Sequence, residues 1–468
     1  MNQAVTLPID FVPCDTIRSQ FSNAMSQMYR TEVPAYGALI DLVDSNNQQV
    51  LTTNSELAER LGQVENLETL SEQRHGAIRI GKASELAMMG RIFAIMGMQP
   101  VGYYDLSVAN VPVHSTAFRA VDSESIRNNP FRIFTSLLRL ELIKDEALRA
   151  KATAVLEKRD IFGDKVRELV ATAEKEGGLD AAQAEQFVAA IVEVFRWHSE
   201  AAIDSELYTQ LLSEHPLIAD VVSFKGPHIN HLTPRTLDID WVQENIHTTG
   251  AKAKAVIEGP PKRECPILLR QTAFLAIKEQ VSFVTTGEQQ VNLTHAARFG
   301  EIEQRGCALT EKGRDLYDQL LTQTRSLTRP LNDGSNLAQY KAEIEQVFSV
   351  FPDNYKQMHD QQLAYFSYSL TGVALPQALK DSTDIDQLVD AGVVRFDPIT
   401  YEDFLPVSAA GIFQSNLGEQ GEEDFSQNPN QAEFERDLGM QVADQFSLYQ
   451  AMQTQSIEQC FAELAALK

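Results

Sequence analysis

Cysteine is scarce in this chain of 468 residues. The four present, Cys14, Cys265, Cys307 and Cys460, lie far apart with no CxxC pair. That argues against a disulfide framework and fits the reducing cytoplasm. Long hydrophobic runs are missing too: none approaches the ~20 apolar residues that a membrane span requires. The opening residues, MNQAVTLPIDFVPCDTIRSQ, lack a basic start and an apolar h-region, so no secretory signal is expected. Also absent are GxxxxGK[ST], GxGxxG, HExxH and a complete GxSxG; the stretch PVSAAG around Ser408 has no leading glycine. Phosphate cradling, zincin-type hydrolysis and a nucleophile elbow therefore lack their usual supports.

Cations are outnumbered, with 40 Lys and Arg against 65 Asp and Glu and a net charge of −25. Phosphate binding needs clustered cations, so nucleic acid and anionic membranes are disfavoured as partners. An anionic ligand would have to be held by a few inward arginines against the field of the whole molecule.

The chain exceeds the size of most single cores, so two lobes or a core with a large insertion are expected. Apolar spacing predicts helices over 12–30, 32–44, 55–61 and 82–97, and strands over 75–81 and 111–121. From about Asn128 to His215 the apolar residues recur at helical spacing, as in Phe187, Ile191 and Phe195, with Asp180 as a cap. Strands return over 217–310, followed by helices at 311–324 and 335–348, a mixed segment at 392–417 and a final helix over 431–465. The expected division is a sheet core with flanking helices (1–120 and 217–415), an inserted helical subdomain (121–216), and an acidic loop with the C-terminal helix (416–468).

In RHGAIRIG (74–81), His75, Ala77 and Arg79 alternate with Gly76, Ile78 and Ile80. On a strand the first three share a face, with His75 and Arg79 roughly 13 Å apart at about 3.3 Å per residue. Two further predicted strands carry metal-competent groups. GPHINHLTPRTLDID (226–240) holds His228 and His231, which stand three apart and so face opposite ways. RFGEIEQRG (298–306) holds Glu301 and Glu303 on one face with Phe299 and Arg305. Singly, each has a plain explanation: a strand histidine packed and hydrogen-bonded, or a solvated polar sheet face. For Arg79 the plain explanation is an internal ion pair, with Glu303 as one candidate partner. Together, two histidines and one carboxylate from three strands are the ingredients of a facial triad for iron(II), with three positions left open. His198, His215 and His359, on expected helices, have no ligand-spaced partner, and His247 and His295 are likewise unsupported.

At RHGAIRIG, INHLTPR-LDID, RFGEIEQRG-ALT-KGR and FLPVSAAGIFQSNL the chain resembles the 2-oxoadipate dioxygenase/decarboxylases, relatives of the vicinal-oxygen-chelate dioxygenases. FGEIEQRG is also similar to the iron-binding strand of 4-hydroxyphenylpyruvate dioxygenase and hydroxymandelate synthase, a register that selects Glu301 over Glu303. The resemblance implies an α+β fold whose curved mixed or antiparallel sheet forms a partly open barrel, with an inserted helical subdomain and flanking helices. It implies Fe(2+) on His75, His231 and Glu301, and a substrate, with His75 beside it, gripped by Arg79 and walled by Val407 and Ser408. The implied reaction takes 2-oxoadipate and O2 to 2-hydroxyglutarate and CO2 in lysine catabolism, with Glu303, Gln304 and Arg305 orienting the ligands. The competing readings are an O2-independent metal-dependent lyase or isomerase on the same scaffold, and a non-catalytic oxo-acid-binding protein.

Overall fold

The computed structural model describes residues 10–250, 252–274, 277–284, 290–296, 298–331, 334–405 and 430–466. Eleven strands are present among them: β1 (Gln73–Ile80), β2 (Gln99–Asp105), β3 (Val113–Arg119), β4 (Arg132–Leu138), β5 (His231–Pro234), β6 (Leu269–Ala273), β7 (Glu279–Val284), β8 (Gln290–His295), β9 (Glu301–Arg305), β10 (Phe366–Leu370) and β11 (Val394–Pro398). Five form a mixed sheet in the order β2-β3-β4-β1-β5. β1 and β4 run parallel, and the other pairs are antiparallel.

Beyond β5 the sheet continues without a full ladder. Phe299 N–H donates to Asn230 O (3.0 Å) and Thr236 N–H to Glu303 O (2.8 Å), which lays β9 beside β5. β6 then pairs antiparallel with β9. A buried tyrosine pins this junction: the Tyr29 hydroxyl lies 3.0 Å from Asn230 O and 2.8 Å from Phe299 O.

Tyr29 belongs to helix Cys14–Glu32, which buries Ile17, Phe21, Met25 and Tyr29 at near four-residue spacing. Each such side chain contributes roughly 1.5–3 kcal/mol on burial. The helix ends at Val33 because Pro34 disfavours the α conformation in the residue before it; the proline then opens helix Pro34–Thr53.

The helical block is built as the spacing predicts, but it starts later. Asp180 caps helix Ala181–Val194 in a reciprocal box with Gln183, both bonds 2.9 Å, and Phe187, Ile191 and Phe195 are fully buried. The expected helix near 128–140 is instead β4, a central strand buried along its whole length. A strand buried on both faces loses its alternation. A short helix, Ser123–Asn128, precedes β4, and the run of helices follows it from Glu146. The segment VSFKGPHINHLTPR is strand only over His231–Pro234, its first residues completing helix Pro216–Ser223. The C-terminal helix divides into Gln431–Leu438 and Gln445–Ala466, broken at Gly439, whose φ of 74° is the left-handed cap that glycine takes most readily.

Among the described residues no helix is long and apolar enough to cross a membrane, and all four cysteines are free.

Candidate metal centre and its surroundings

Register explains how remote residues meet. Across β1 and β5, Ala77 stands opposite His231 and His75 opposite Thr233. Arg235 bridges to Glu303 in parallel, so two residues back Thr233 lies beside Glu301. His75, His231 and Glu301 therefore face one another, and Ala77 is small enough to leave room for the imidazole across from it. They form a group whose ligand atoms all lie within 4.8 Å of one another. His75 and His231 have no exposed surface, and Glu301 keeps only 2%.

The spacing suits a metal ion. His75 Nε2 is 2.9 Å and His231 Nε2 is 3.5 Å from Glu301 Oε2. Two atoms at right angles about an ion roughly 2.1 Å from each stand about 3 Å apart. His231 adds a second sign: neither ring nitrogen has a hydrogen-bond partner among the described residues, although the ring is fully buried and stacked on Phe299 (centroids 4.7 Å). A buried polar atom without a partner is costly, and an ion would satisfy it.

The electrostatics agree. Burial pushes the His231 pKa down to about 3 against the pull of Glu301, with the charges of His75 and Arg79 adding to the drop. The ring is neutral, as a ligand must be. Burial opposes the charge on Glu301, but His231 and His75 outweigh it and hold the carboxyl below its ordinary range.

Glu303 fixes the orientation of His75. Its Oε2 lies 2.9 Å from His75 Nδ1, and Arg305 donates to both its oxygens, from Nε (2.6 Å) and Nη2 (2.8 Å). A carboxylate only accepts, so Nδ1 carries a proton and Nε2 is the nitrogen turned towards Glu301. Burial disfavours charge on His75, yet Glu303 and Glu301 overcome it and raise its pKa. Arg305 Nη1 also donates to Tyr401 O and Asp403 O, both at 2.8 Å. This ties the histidine to the segment whose Phe404 packs edge-on against it at 4.9 Å. Gln304 points the other way, donating to Leu237 O. The solvated-face reading of Glu301 and Glu303 is thereby overturned, since neither is exposed.

Arg79 is buried but does not pair with Glu303. Its Nη1 donates to Asp220 Oδ2 at 2.6 Å. His228 is not part of the triad: it precedes the strand and lies 3.3 Å from Asp220 Oδ1. Val407 and Ser408 lie outside the described residues. Two participants escaped the sequence reading. Thr233 donates to Glu301 Oε2 (3.0 Å) and was legible from alternation, two residues past His231. Asp220 gave no local signal, since its partner is 141 residues away.

With this geometry in place, comparison with known proteins is informative. A family model described as 2-oxoadipate dioxygenase/decarboxylase matches residues 21–416. A 2-oxoadipate dioxygenase/decarboxylase of Pseudomonas putida is 54% identical over 453 residues, covering 96% of this chain and 97% of the relative. Its Escherichia coli namesake is 52% identical, covering 96% and 98%. The crystal structure of the Pseudomonas putida hydroxyglutarate synthase in complex with 2-oxoadipate superposes with a TM-score of 0.89 at 52% identity, covering 97% of this chain and 99% of that one.

Proposed function

From the premise that the chain belongs to the 2-oxoadipate dioxygenase/decarboxylase family, we propose that it converts 2-oxoadipate and O2 to 2-hydroxyglutarate and CO2, with iron(II) held by His75, His231 and Glu301. The carrying observation is the convergence of those three buried groups, with both nitrogens of His231 lacking a hydrogen-bond partner among the described residues. An iron(II) ion bound there supplies open coordination positions for the oxo acid and dioxygen, and the electrons that activate the latter. The substrate brings its own 2-oxo acid, so no external 2-oxoglutarate enters.

The protein's share is binding, orientation and exclusion of water. Glu303, held by Arg305, keeps His75 in one tautomer and one ring plane. Thr233 donates to Glu301 Oε2, the oxygen that faces both histidines, and so fixes the carboxylate's rotation. Arg79 offers its N–H fork to a substrate carboxylate, a planar match that a lysine lacks. The family resemblance assigns contact with the substrate chain to Val407 and Ser408, which lie outside the described residues. We read the curved β2-to-β6 array as a partly open barrel of the vicinal-oxygen-chelate kind. The helices from Glu146 to the end of the expected 121–216 segment are its inserted subdomain, β4 belonging to the core formed by 1–120 and 217–415. Residues 416–468 are a C-terminal addition. Free cysteines and acidity suit a cytoplasmic enzyme of lysine degradation.

The test is incubation of the iron(II)-loaded protein with 2-oxoadipate in air, following oxygen uptake, CO2 and 2-hydroxyglutarate together. Equal consumption of oxygen and substrate is expected, lost in His231→Ala and Glu301→Ala along with bound iron. Turnover without oxygen would instead identify a lyase or isomerase, and binding without product a carrier.

A further inference from the structure

Arg79 is held from its far side by a second buried cluster. Asp220, on helix Pro216–Ser223, is 4% exposed. Its Oδ2 accepts from Arg79 Nη1, while its Oδ1 lies 2.9 Å from His295 Nε2 and 3.3 Å from His228 Nε2. The carboxylate can only accept, so His295 carries a proton on Nε2; its Nδ1 lies 3.0 Å from the Tyr208 hydroxyl. Trp197 closes over both rings, edge-on to His228 at 4.7 Å and stacked on His295 at 6.1 Å. Three elements distant in sequence are thus spent on fixing one carboxylate against one guanidinium.

Two roles fit a buried carboxylate beside a ligand-binding arginine, and they differ in sign. If Asp220 only neutralises Arg79, it competes with the substrate carboxylate, and removing its charge strengthens binding. If it positions Arg79, removing it frees a long, rotamer-rich side chain that must be ordered again on binding, and binding weakens. The geometry favours positioning. Asp220 is braced on the oxygen that Arg79 does not use, which keeps the other oxygen aimed at Nη1.

We infer that Asp220, backed by His295 and His228, is a positioning residue that presets the Arg79 fork for the carboxylate of a 2-oxo dicarboxylic acid. The inference rests on the reading that Arg79 binds substrate. The test uses iron(II)-loaded Asp220→Asn, with anaerobic calorimetric titration of 2-oxoadipate and aerobic kinetics. Expected are a rise in Kd and KM of about tenfold, a change in kcat below about threefold, and unaltered iron content. In an Arg79→Ala background the same substitution should add almost nothing, because it acts through that arginine. Should Asp220→Asn fail to fold, His295→Phe keeps a ring and removes the bracing N–H, together with the Nδ1 partner of the Tyr208 hydroxyl; a smaller rise, again absent without Arg79, is expected. An unchanged or lowered Kd in the variant that folds, or an effect that persists in full without Arg79, overturns the inference. Failure of the unaltered enzyme to bind 2-oxoadipate would instead remove the substrate assignment, so the two failures are distinguishable.

Discussion

Replacing Glu303 by glutamine isolates the control of a ligand by a residue that never touches the metal. The carboxylate has no exposed surface and accepts three charge-assisted hydrogen bonds, one from His75 and two from Arg305. Burial alone would raise its pKa, but Arg305 and His75 hold it well below the carboxylate range, so it is ionised throughout neutral pH. Glutamine keeps the shape but has one acceptor oxygen and one amide that can only donate. Whichever way the amide turns, it meets an N–H of Arg305 or of His75, and the Arg305 cation loses its counter-charge in a dry site. Losing an outer hydrogen-bond partner of a metal-bound histidine typically costs 10–100-fold in metal affinity. At about 1.4 kcal/mol per decade, that is roughly 1.4–2.8 kcal/mol. Competition titration of iron(II) against a chelator reads this directly, with circular dichroism confirming the fold. Affinity equal to that of the unaltered protein, in a folded Glu303→Gln variant, would show that the pair with Glu303 does not orient His75.

Other consequences follow from particular contacts. Arg79→Ala should raise KM for 2-oxoadipate by about thirtyfold or more while leaving iron affinity nearly intact, because a buried charge-assisted contact is lost; an unchanged KM would refute its role in substrate binding. Gly300 precedes Glu301, and a Cβ there would stand 2.0 Å from Cε1 of the buried Phe274 ring. Gly300→Ala should therefore cost about 1–3 kcal/mol of stability through overpacking and also weaken iron binding; thermal unfolding together with metal titration checks both, and no change in either contradicts the packing argument. Burial, helped by Arg139 for His114 and by Arg79 for His215, pushes both histidines down to about 4. A base with a depressed folded pKa gives stability that is complete above its unfolded value near 6.5 and is lost as pH falls towards 4. Each should remove about 2 kcal/mol of unfolding free energy between pH 7 and pH 5, read from urea midpoints; equal or greater stability at pH 5 would show the rings are not buried uncharged.

Much of the centre was legible because strands impose a period of two. That period placed His75 and Arg79 on one face, separated His231 from His228, and put Glu301 with Glu303; the structure keeps all three relations. It also carried Thr233, two residues past His231, although the sequence reading did not use it. What alternation cannot supply is the third dimension. Nothing local pairs Arg79 with Asp220 rather than Glu303, because the choice depends on a helix 141 residues away and on Arg305 already occupying Glu303. The same limit hid β4: Arg132–Leu138 is covered on both faces, and its mixed sequence RIFTSLL, with Arg132, Thr135 and Ser136 buried among apolar residues, carries no period of two. β2, over Gln99–Asp105, went unassigned for want of a clear pattern, although it forms the edge of the main sheet. The buried acids teach a similar lesson, since a polar stripe reads as solvated until the strand facing it is known.

Diffraction from crystals of the iron(II)-loaded protein, recorded at the iron absorption edge, addresses the centre most directly. One strong anomalous peak is expected, within bonding distance of His75 Nε2, a ring nitrogen of His231 and a carboxylate oxygen of Glu301, and it should vanish in His231→Ala. A peak elsewhere, or none between these three groups in protein that turns over 2-oxoadipate, would contradict the account.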